Sequence, residues 1–273
     1  RVLSDLSELE KSTPFKINQN LSYFYTLNEK NIFALEVQHL LQDEDPFYVA
    51  LLENNPANNN GPEADGFDST ASVLGLDTGL DLYELNQNRR VKSNQTDIKL
   101  DYYYILNSKS NLNLVGGTIL SKQIFDSRFF QIIDNQGSTL DPTPAFGTDI
   151  QAFNDTEYKF TDLYLGLRYR LKSGIFTFSP GITAHTYNTN NIQYGADVFE
   201  DTFQKLLPEF KMILQFKRSE SLTLDYRQQV NFTDVNQLAR GLVANGYNAY
   251  FYGDSDLINE SRHNISAFYR SFN

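Results

Sequence analysis

From residue 161 to residue 188 the chain alternates with a period of two. Leu163, Leu165, Leu167, Tyr169 and Leu171 interleave with Asp162, Tyr164, Gly166, Arg168 and Arg170. After Lys172-Ser173-Gly174, Phe176, Phe178, Pro180, Ile182 and Ala184 interleave with Thr177, Ser179, Gly181, Thr183 and His185. Successive side chains of a strand point to opposite faces, so the pattern predicts a hairpin with one apolar face, one polar face and a minimal turn. Strands of about ten residues divided in this way are the repeat unit of a membrane-spanning β-barrel.

The unit recurs along the chain. Residues 15–27 put Phe15, Ile17, Leu21, Tyr23, Tyr25 and Leu27 on one face, and a turn at 28–31 leads into 32–42, where Phe33, Leu35 and Val37 alternate with Ala34, Glu36 and Gln38. Residues 96–106 carry Ile98, Leu100, Tyr102, Tyr104 and Leu106 against Asp97, Lys99, Asp101 and Tyr103. A turn at 107–110 returns the chain over 112–126, where Gly116 and Gly117 read as a bend or a close neighbour. Residues 206–216 and 222–232 form a further hairpin about a turn at 218–220, and 262–272 is the last strand. The segments 43–90, 128–156, 189–202 and 233–260 lose the alternation and are expected to be long loops. Very short turns thus alternate with long loops. A soluble sandwich has no reason to sort its loops this way, whereas an outer-membrane barrel has short periplasmic turns at one rim and long extracellular loops at the other.

The predicted fold is therefore all-β: one domain over 1–273, a transmembrane antiparallel up-and-down β-barrel segment of about nine or ten strands, with an extra pair considered over 71–85. An odd count does not close a bacterial barrel of the usual even type, so part of the sheet is expected to lie outside this chain. Arg1 is not an initiator and no signal peptide follows it, which leaves a mature, trimmed or partial chain.

Composition narrows the picture. There is no Cys, no Trp and one Met, but 17 Tyr and 21 Phe, as suits an aromatic-rich barrel without disulfides. A net charge of −11 argues against nucleic acid as a partner. Asp43, Glu44, Asp45, Glu63, Asp65 and Asp68 read as solvated loop residues rather than a cation site. No run approaches the ~18 apolar residues of a membrane helix, which leaves strands, exposing lipid-facing side chains at every second position, as the only spanning element.

Catalytic chemistry finds no constellation. His39, His185 and His263 lie far apart with no metal-ligand spacing, and no nucleophile elbow, phosphate loop or dinucleotide fingerprint occurs, so no enzyme, cofactor or metal site is expected. Tyr102, Tyr103 and Tyr104 read as an interfacial girdle or as sugar-stacking platforms. Tyr247, Tyr250, Phe251 and Tyr252 sit in the last long loop and are the candidate ligand contacts. Arg168, Arg170, Lys211 and Arg227 fall on polar faces and are expected to point into a lumen, pairing with a plug or with Asp162 and Asp225.

The segments Gln237-Leu238-Ala239-Arg240-Gly241-Leu242, Gly253-Asp254-Ser255-Asp256-Leu257 and Glu260-Ser261-Arg262-His263-Asn264-Ile265 follow one another near the end of the chain. Their order and spacing resemble the late-barrel signature of TonB-dependent receptor-like outer-membrane proteins of the Bacteroidetes type, with Asp254-Ser255 in place of Asn-Pro and an inserted Arg262-His263. The hairpins upstream, Asp97 to Ile124 above all, look like the same family's barrel. The resemblance implies a central to late slice of a barrel of about 22 strands in the bacterial outer membrane. It further implies energised uptake of a scarce large solute such as an iron chelate, oligosaccharide or peptide, with membrane lipid and a TonB-type energy-transducing protein as partners, the latter acting through a plug domain. Two alternatives stand beside it: a non-transporting scaffold for secretion or adhesion that docks a surface lipoprotein, and a soluble β-rich glycan-binding module.

Overall fold

The computed structural model describes residues 4–54, 67–143, 150–257 and 259–272. Arg1, Glu63, Asp65, Pro144 and Gly147 lie outside them, as does most of Asn54–Gly61. The chain forms one open antiparallel sheet that runs up and down in sequence order. Its strands are β1 (Ser4–Lys11), β2 (Phe15–Asn28), β3 (Asn31–Glu44), β4 (Phe47–Asn54), β5 (Leu82–Asn107), β6 (Ser110–Ile132), β7 (Thr139–Leu140), β8 (Phe153–Ser173), β9 (Phe176–Gln193), β10 (Asp197–Lys217) and β11 (Glu220–Asn231), then, beyond the small pair β12 (Val243–Ala244) and β13 (Tyr250–Phe251), β14 (Glu260–Ser271). Helix α1 spans Asp68–Leu74 and α2 spans Val235–Leu238.

β5 pairs with β4 over its first part and with β3 over the rest, so β3 and β4 are two halves of one wall strand. The backbone N–H of Arg89 donates to Pro46 O at 2.9 Å and carries the ladder across the Asp45-Pro46 break. β1 and β2 are likewise the halves of the strand beside it, which leaves nine wall strands among the described residues. Among the described residues the sheet ends on β1 and β2 at one side and on β14 at the other, and these edges do not pair.

The turns at 29–30, 108–109, 174–175 and 218–219 are two-residue hairpins at one rim. Asn28 Oδ1 accepts the backbone N–H of Lys30 and Asn31 at 3.0 and 3.1 Å, and Asn107 Oδ1 accepts that of Lys109 at 2.8 Å. Such Asx geometry fixes the tight turns locally.

The opposite rim departs from the expected loop bounds. Strand pairing persists through Glu44 and resumes at Phe47, runs on to Ile132, and restarts at Phe153. Between β9 and β10 there is no long loop at 189–202, only the turn Tyr194-Gly195-Ala196, with Tyr194 at φ 54° and Gly195 at φ 65°. Asn188 and Asn190 on one face and Thr189 and Asn191 on the other are all polar, which erased the alternation without ending the strand. No extra strand pair forms over 71–85; Asp68–Leu74 is helical, and Ala71 and Leu74 bury one side of it.

The register shows why the alternation stops where it does. One row of directly paired, outward-facing residues reads Tyr23, Leu35, Leu100, Gly116, Leu165, Ala184 and Leu206. On β8 the outward positions toward the tight-turn rim are Leu163, Leu165, Leu167, Tyr169 and Leu171, whereas those toward the other rim are Phe153, Asp155, Glu157, Lys159 and Thr161. The same change falls at the same height on β5, where Asn88, Arg90, Lys92, Asn94 and Thr96 give way to Ile98, Leu100, Tyr102 and Tyr104. β5, β8, β9 and β10 therefore each have an apolar-outside half and a polar-outside half, whereas the outward Phe47, Val49 and Leu51 of β4 stay apolar beyond the belt. The apolar stretch of β8 covers roughly 26 Å of strand at ~3.3 Å per residue, or about 20 Å of height at the usual barrel tilt, close to the ~25 Å apolar band of such barrels.

Across the described wall this belt carries no charged outward side chain between Leu163 and Leu171 on β8, between Ile98 and Tyr104 on β5, or between Leu206 and Leu214 on β10. Its side chains are exposed, Leu163 by 62% and Leu165 by 60%. Tyr102 and Tyr104 join its lower edge, where Tyr102 stacks on Phe33 at 4.9 Å, while Tyr103 turns to the inner face. Replacing Leu165 by Arg should cost roughly 2–4 kcal/mol of folding free energy in lipid, and Asp155→Arg, on the polar half of the same face, less than about 1 kcal/mol. Urea titration of protein refolded into vesicles measures both; equal costs would contradict a lipid-facing belt.

Candidate functional site

The two halves of the wall also differ on their inner face. Behind the polar-outside half the inner face is apolar and covered. The segment 232–257, which covers most of the last long loop expected at 233–260, folds back and crosses the sheet as a strap. Val235, Leu238, Ala239 and Val243 pack on Phe125, Tyr158, Phe160 and Tyr187 of β6, β8 and β9. Further along, Leu242 and Ala244 join Phe67, Leu74, Tyr83, Leu85 and Phe129, so that α1 and the strap share one core over β4, β5 and β6. The strap reaches β1, where the backbone N–H of Tyr247 donates to Glu8 Oε1 at 3.3 Å.

Buried amide side chains of the wall hold these segments by pairing with their backbone. Gln87 Nε2 donates to Ala244 O at 2.9 Å while its Oε1 accepts the N–H of Ala244 at 2.7 Å. Gln193 makes the equivalent pair, donating to Leu238 O at 2.6 Å and accepting from the N–H of Arg240 at 3.1 Å. Gln131 does the same to both backbone groups of Asp77, at 2.8 and 3.0 Å. Asn154 Oδ1 accepts the N–H of Gly241 at 2.6 Å. Gln87, Gln131 and Gln193 are fully buried, so each amide takes its partners from these backbones rather than from water. The sequence reading missed all four residues. Their only trace is an uncharged amide at inward parity in stretches whose outward face is also polar.

The Gln237–Leu242 and Gly253–Leu257 segments now have a physical account. The N–H groups of Gly253 and Asp254 donate to Ala239 O and Gln237 O at 2.7 and 2.8 Å, locking the two segments together. A Cβ on Gly241 would lie 2.1 Å from Phe153 O, and one on Gly253 would lie 2.3 Å from Gln237 O, so both positions exclude any side chain. Arg240 forms an ion pair with Asp197 and lies over the ring of Phe199 at 5.5 Å.

Of the candidate ligand contacts, Tyr247 and Tyr250 pack against the core beneath α1, with Tyr250 edge-on to Phe129 at 5.4 Å, and Phe251 packs toward β6, β8 and β9. These three rings anchor the strap, whereas Tyr252 is 53% exposed.

Under the strap, on the inner face, lies a cavity of about 710 Å³ lined by Tyr158, Phe160, Tyr187 and Phe232 on one side and by Asp162, His185, Arg168, Glu209 and Arg227 on the other. Burial pushes the Tyr158 hydroxyl up to about 12, so it stays a neutral hydrogen-bonding group at its rim. His185 Nδ1 lies 2.9 Å from both oxygens of Asp162, and its ring is stacked between Tyr164 and Tyr187 at centroid distances of 5.3 and 5.2 Å. Arg168 pairs with Glu209, which Arg227 also approaches at 3.9 Å. The expectation that Arg168 and Arg227 pair with Asp162 and Asp225 is thus corrected. Cross-strand geometry gives both arginines to Glu209, and the imidazole of His185, diagonal to Asp162 across β8 and β9, occupies that carboxylate. Behind the belt the inner face stays charged, with Lys99 Nζ 2.8 Å from Asp101 and 3.5 Å from Glu36. His39 and His263 are distant from this cavity; they bond Asn94 at 3.1 Å and Tyr226 at 3.0 Å.

No protein-family model and no curated protein matches the chain. Among solved structures it is similar to the ferric citrate transporter FecA in its unliganded form, at 11% identity and a TM-score of 0.36, covering 81% of this chain and 36% of that one. It is also similar to the structure of the FpvAI–pyocin S2 complex, at 11% identity and a TM-score of 0.38, covering 83% and 35%. A third similarity is to the outer membrane protease OmpT from Escherichia coli, at 11% identity and a TM-score of 0.27, covering 98% and 96%. The chain spans about a third of the length of the first two.

Gln87→Ala and Gln193→Ala each remove two hydrogen bonds to strap backbone and leave those groups unsatisfied, at roughly 1–3 kcal/mol per site. Hydrogen exchange of the peptide covering 238–244 should accelerate by about 10–100-fold in either variant while exchange in β8 between 163 and 171 stays unchanged. Unaltered protection of 238–244 would show that the amides do not hold the strap.

Proposed function

We propose that this chain is the central to late wall of a TonB-dependent receptor-like barrel in the bacterial outer membrane, which takes up a scarce large solute through a polar lumen closed on the outside by the strap and α1. The observation that carries the reading is the pair of solvents met by the same strands at one height. Outward, Leu163, Leu165 and Leu167 are exposed and apolar; inward, Asp162, Arg168 and His185 are charged or polar and paired. A hydrophilic solute loses its hydration in hydrocarbon and needs such a lined path. The strap packs rather than waves, which suits a mouth that is shut at rest.

The reading includes no catalysis. It brings in membrane lipid around the belt and an energy-transducing TonB-type partner that acts through a plug domain. A soluble glycan-binding module needs a second sheet over Leu163, Leu165, Phe176 and Phe178, and among the described residues these side chains are covered by none. A surface scaffold that docks a lipoprotein shares the belt and differs in needing no passage.

Single cysteines at Leu165 and Arg168 of the otherwise Cys-free protein test the wall. A lipid-embedded quencher should quench a fluorophore at 165, and a water-soluble thiol reagent should label 168. Burial of 165 away from both lipid and water would overturn the reading. Transport is tested by deleting the gene and supplying iron chelates, oligosaccharides or peptides as sole source. Loss of growth on one of them, restored only when the inner membrane is energised, is the expected result, and loss of surface attachment with normal growth would favour the scaffold.

A further inference from the structure

The outward face changes from apolar to polar in a defined order of rows. The last belt row contains Ile98, Thr118 and Leu163; the next contains Thr96, Leu120 and Thr161; the one after that contains Asn94, Lys122, Lys159 and Asn190. Lys122 and Lys159 are direct cross-strand partners, and two like charges so placed repel. Glu157 lies between them, with Lys122 Nζ at 2.8 Å and Lys159 Nζ at 2.6 Å, and these two ammonium groups hold its carboxyl below the usual carboxylate range. One carboxylate does not neutralise two ammonium groups, and both lysines remain about half exposed. On β5, Arg90 and Lys92 share the single carboxylate of Asp43 at 2.9 and 3.9 Å. Counting Asp126, the cross-strand neighbour of Arg90, and its partner Asp155, four cations and four carboxylates share this surface, and the cation excess falls on the row nearest the belt, where Lys122 and Lys159 meet Glu157 alone. The paired residues Asp126 and Asp155 stand in the row of Arg90, one row beyond Glu157 and farther from the belt, so an anion is repelled from above and drawn down toward the belt edge.

We propose that Lys122 and Lys159, flanked by Lys92, bind the phosphate of a lipid headgroup in the leaflet that meets the long-loop side of the belt. Height selects this ligand over a soluble anion. The lysine row lies about 7 Å of strand beyond Leu120, where headgroups begin, and lysine stems reach along an apolar surface to place their charge there. The inference rests on the membrane reading given above.

The test uses the full-length protein in phosphatidylcholine vesicles doped with a small fraction of spin-labelled phosphatidic acid, with a fluorophore at position 165 reporting insertion. Enrichment of phosphatidic acid over phosphatidylcholine at the protein surface should be severalfold, should fall to parity in Lys122→Ala/Lys159→Ala, and should persist in Lys211→Ala, which removes the same charge from the inner face. Quenching at 165 with no preference for phosphatidic acid, or with a preference that the double variant retains, overturns this inference and leaves the membrane reading standing. Absence of quenching at 165 removes both. Binding of inorganic phosphate to the detergent-solubilised protein, abolished by the same double variant, would reassign the pair to a soluble anion and overturn the lipid assignment.

Discussion

The backbone ladder between neighbouring wall strands carries everything else, because peptide groups next to hydrocarbon have no other partner for their N–H and C=O. In this chain the ladder runs unbroken for most of the length of β5, β6, β8, β9 and β10, well beyond the belt. It survives Pro46 because Arg89 finds that residue's carbonyl, and it survives the crowded meeting of β6 with β5 and β8 because Gly117 lets Ile98 O and the Tyr164 hydroxyl occupy the space a Cβ would take. With the ladder satisfied, each side chain is free to answer only to the solvent on its own face.

The tall wall then creates a second problem that the belt does not have. Above it, the inner face is apolar while the outer face meets water, so that half of the sheet behaves like one layer of a soluble protein and needs a second layer. The strap and α1 supply it. Their own backbones, crossing strands rather than pairing with them, are satisfied by Gln87, Gln131, Asn154 and Gln193. Side-chain amides present the same donor and acceptor as a peptide group, which lets a strand edge be imitated from the face of a sheet. The result is a dry, packed cover over a wet, charged inner wall, with the cavity beneath Phe232 at the junction of the two.

Much of the wall was legible because one face of it repeats. The hairpins at 15–42, 96–126, 161–188 and 206–232 were readable from Leu, Tyr and Phe at alternate positions, and the four tight turns from their Asn, Gly and charged residues. Legibility stopped at Thr161, Thr96 and Asn188, where the outward solvent becomes water: alternation between two polar residues carries no signal, so strand ends were mistaken for loops at 43–54, 128–132, 153–156 and 189–202. The site was less readable still. Arg168 and Arg227 were placed on the inner face correctly, but Glu209, the cross-strand neighbour of Arg227, lies on a different hairpin from Arg168, and the amides that clamp the strap come from strands far from it in sequence.

What the sequence determined by itself was therefore local and periodic: strand identity, the apolar face, the tight turns and the segments bearing Gly241 and Gly253. Those features depend only on a residue and its near neighbours along the chain, so spacing is enough to record them. What the tertiary structure decided was which inward residues meet. His185 diagonal to Asp162, Glu209 between two arginines, and the last loop folded across the wall all depend on register between strands and on the need to cover an apolar inner face, and neither is written in the order of residues along any one strand.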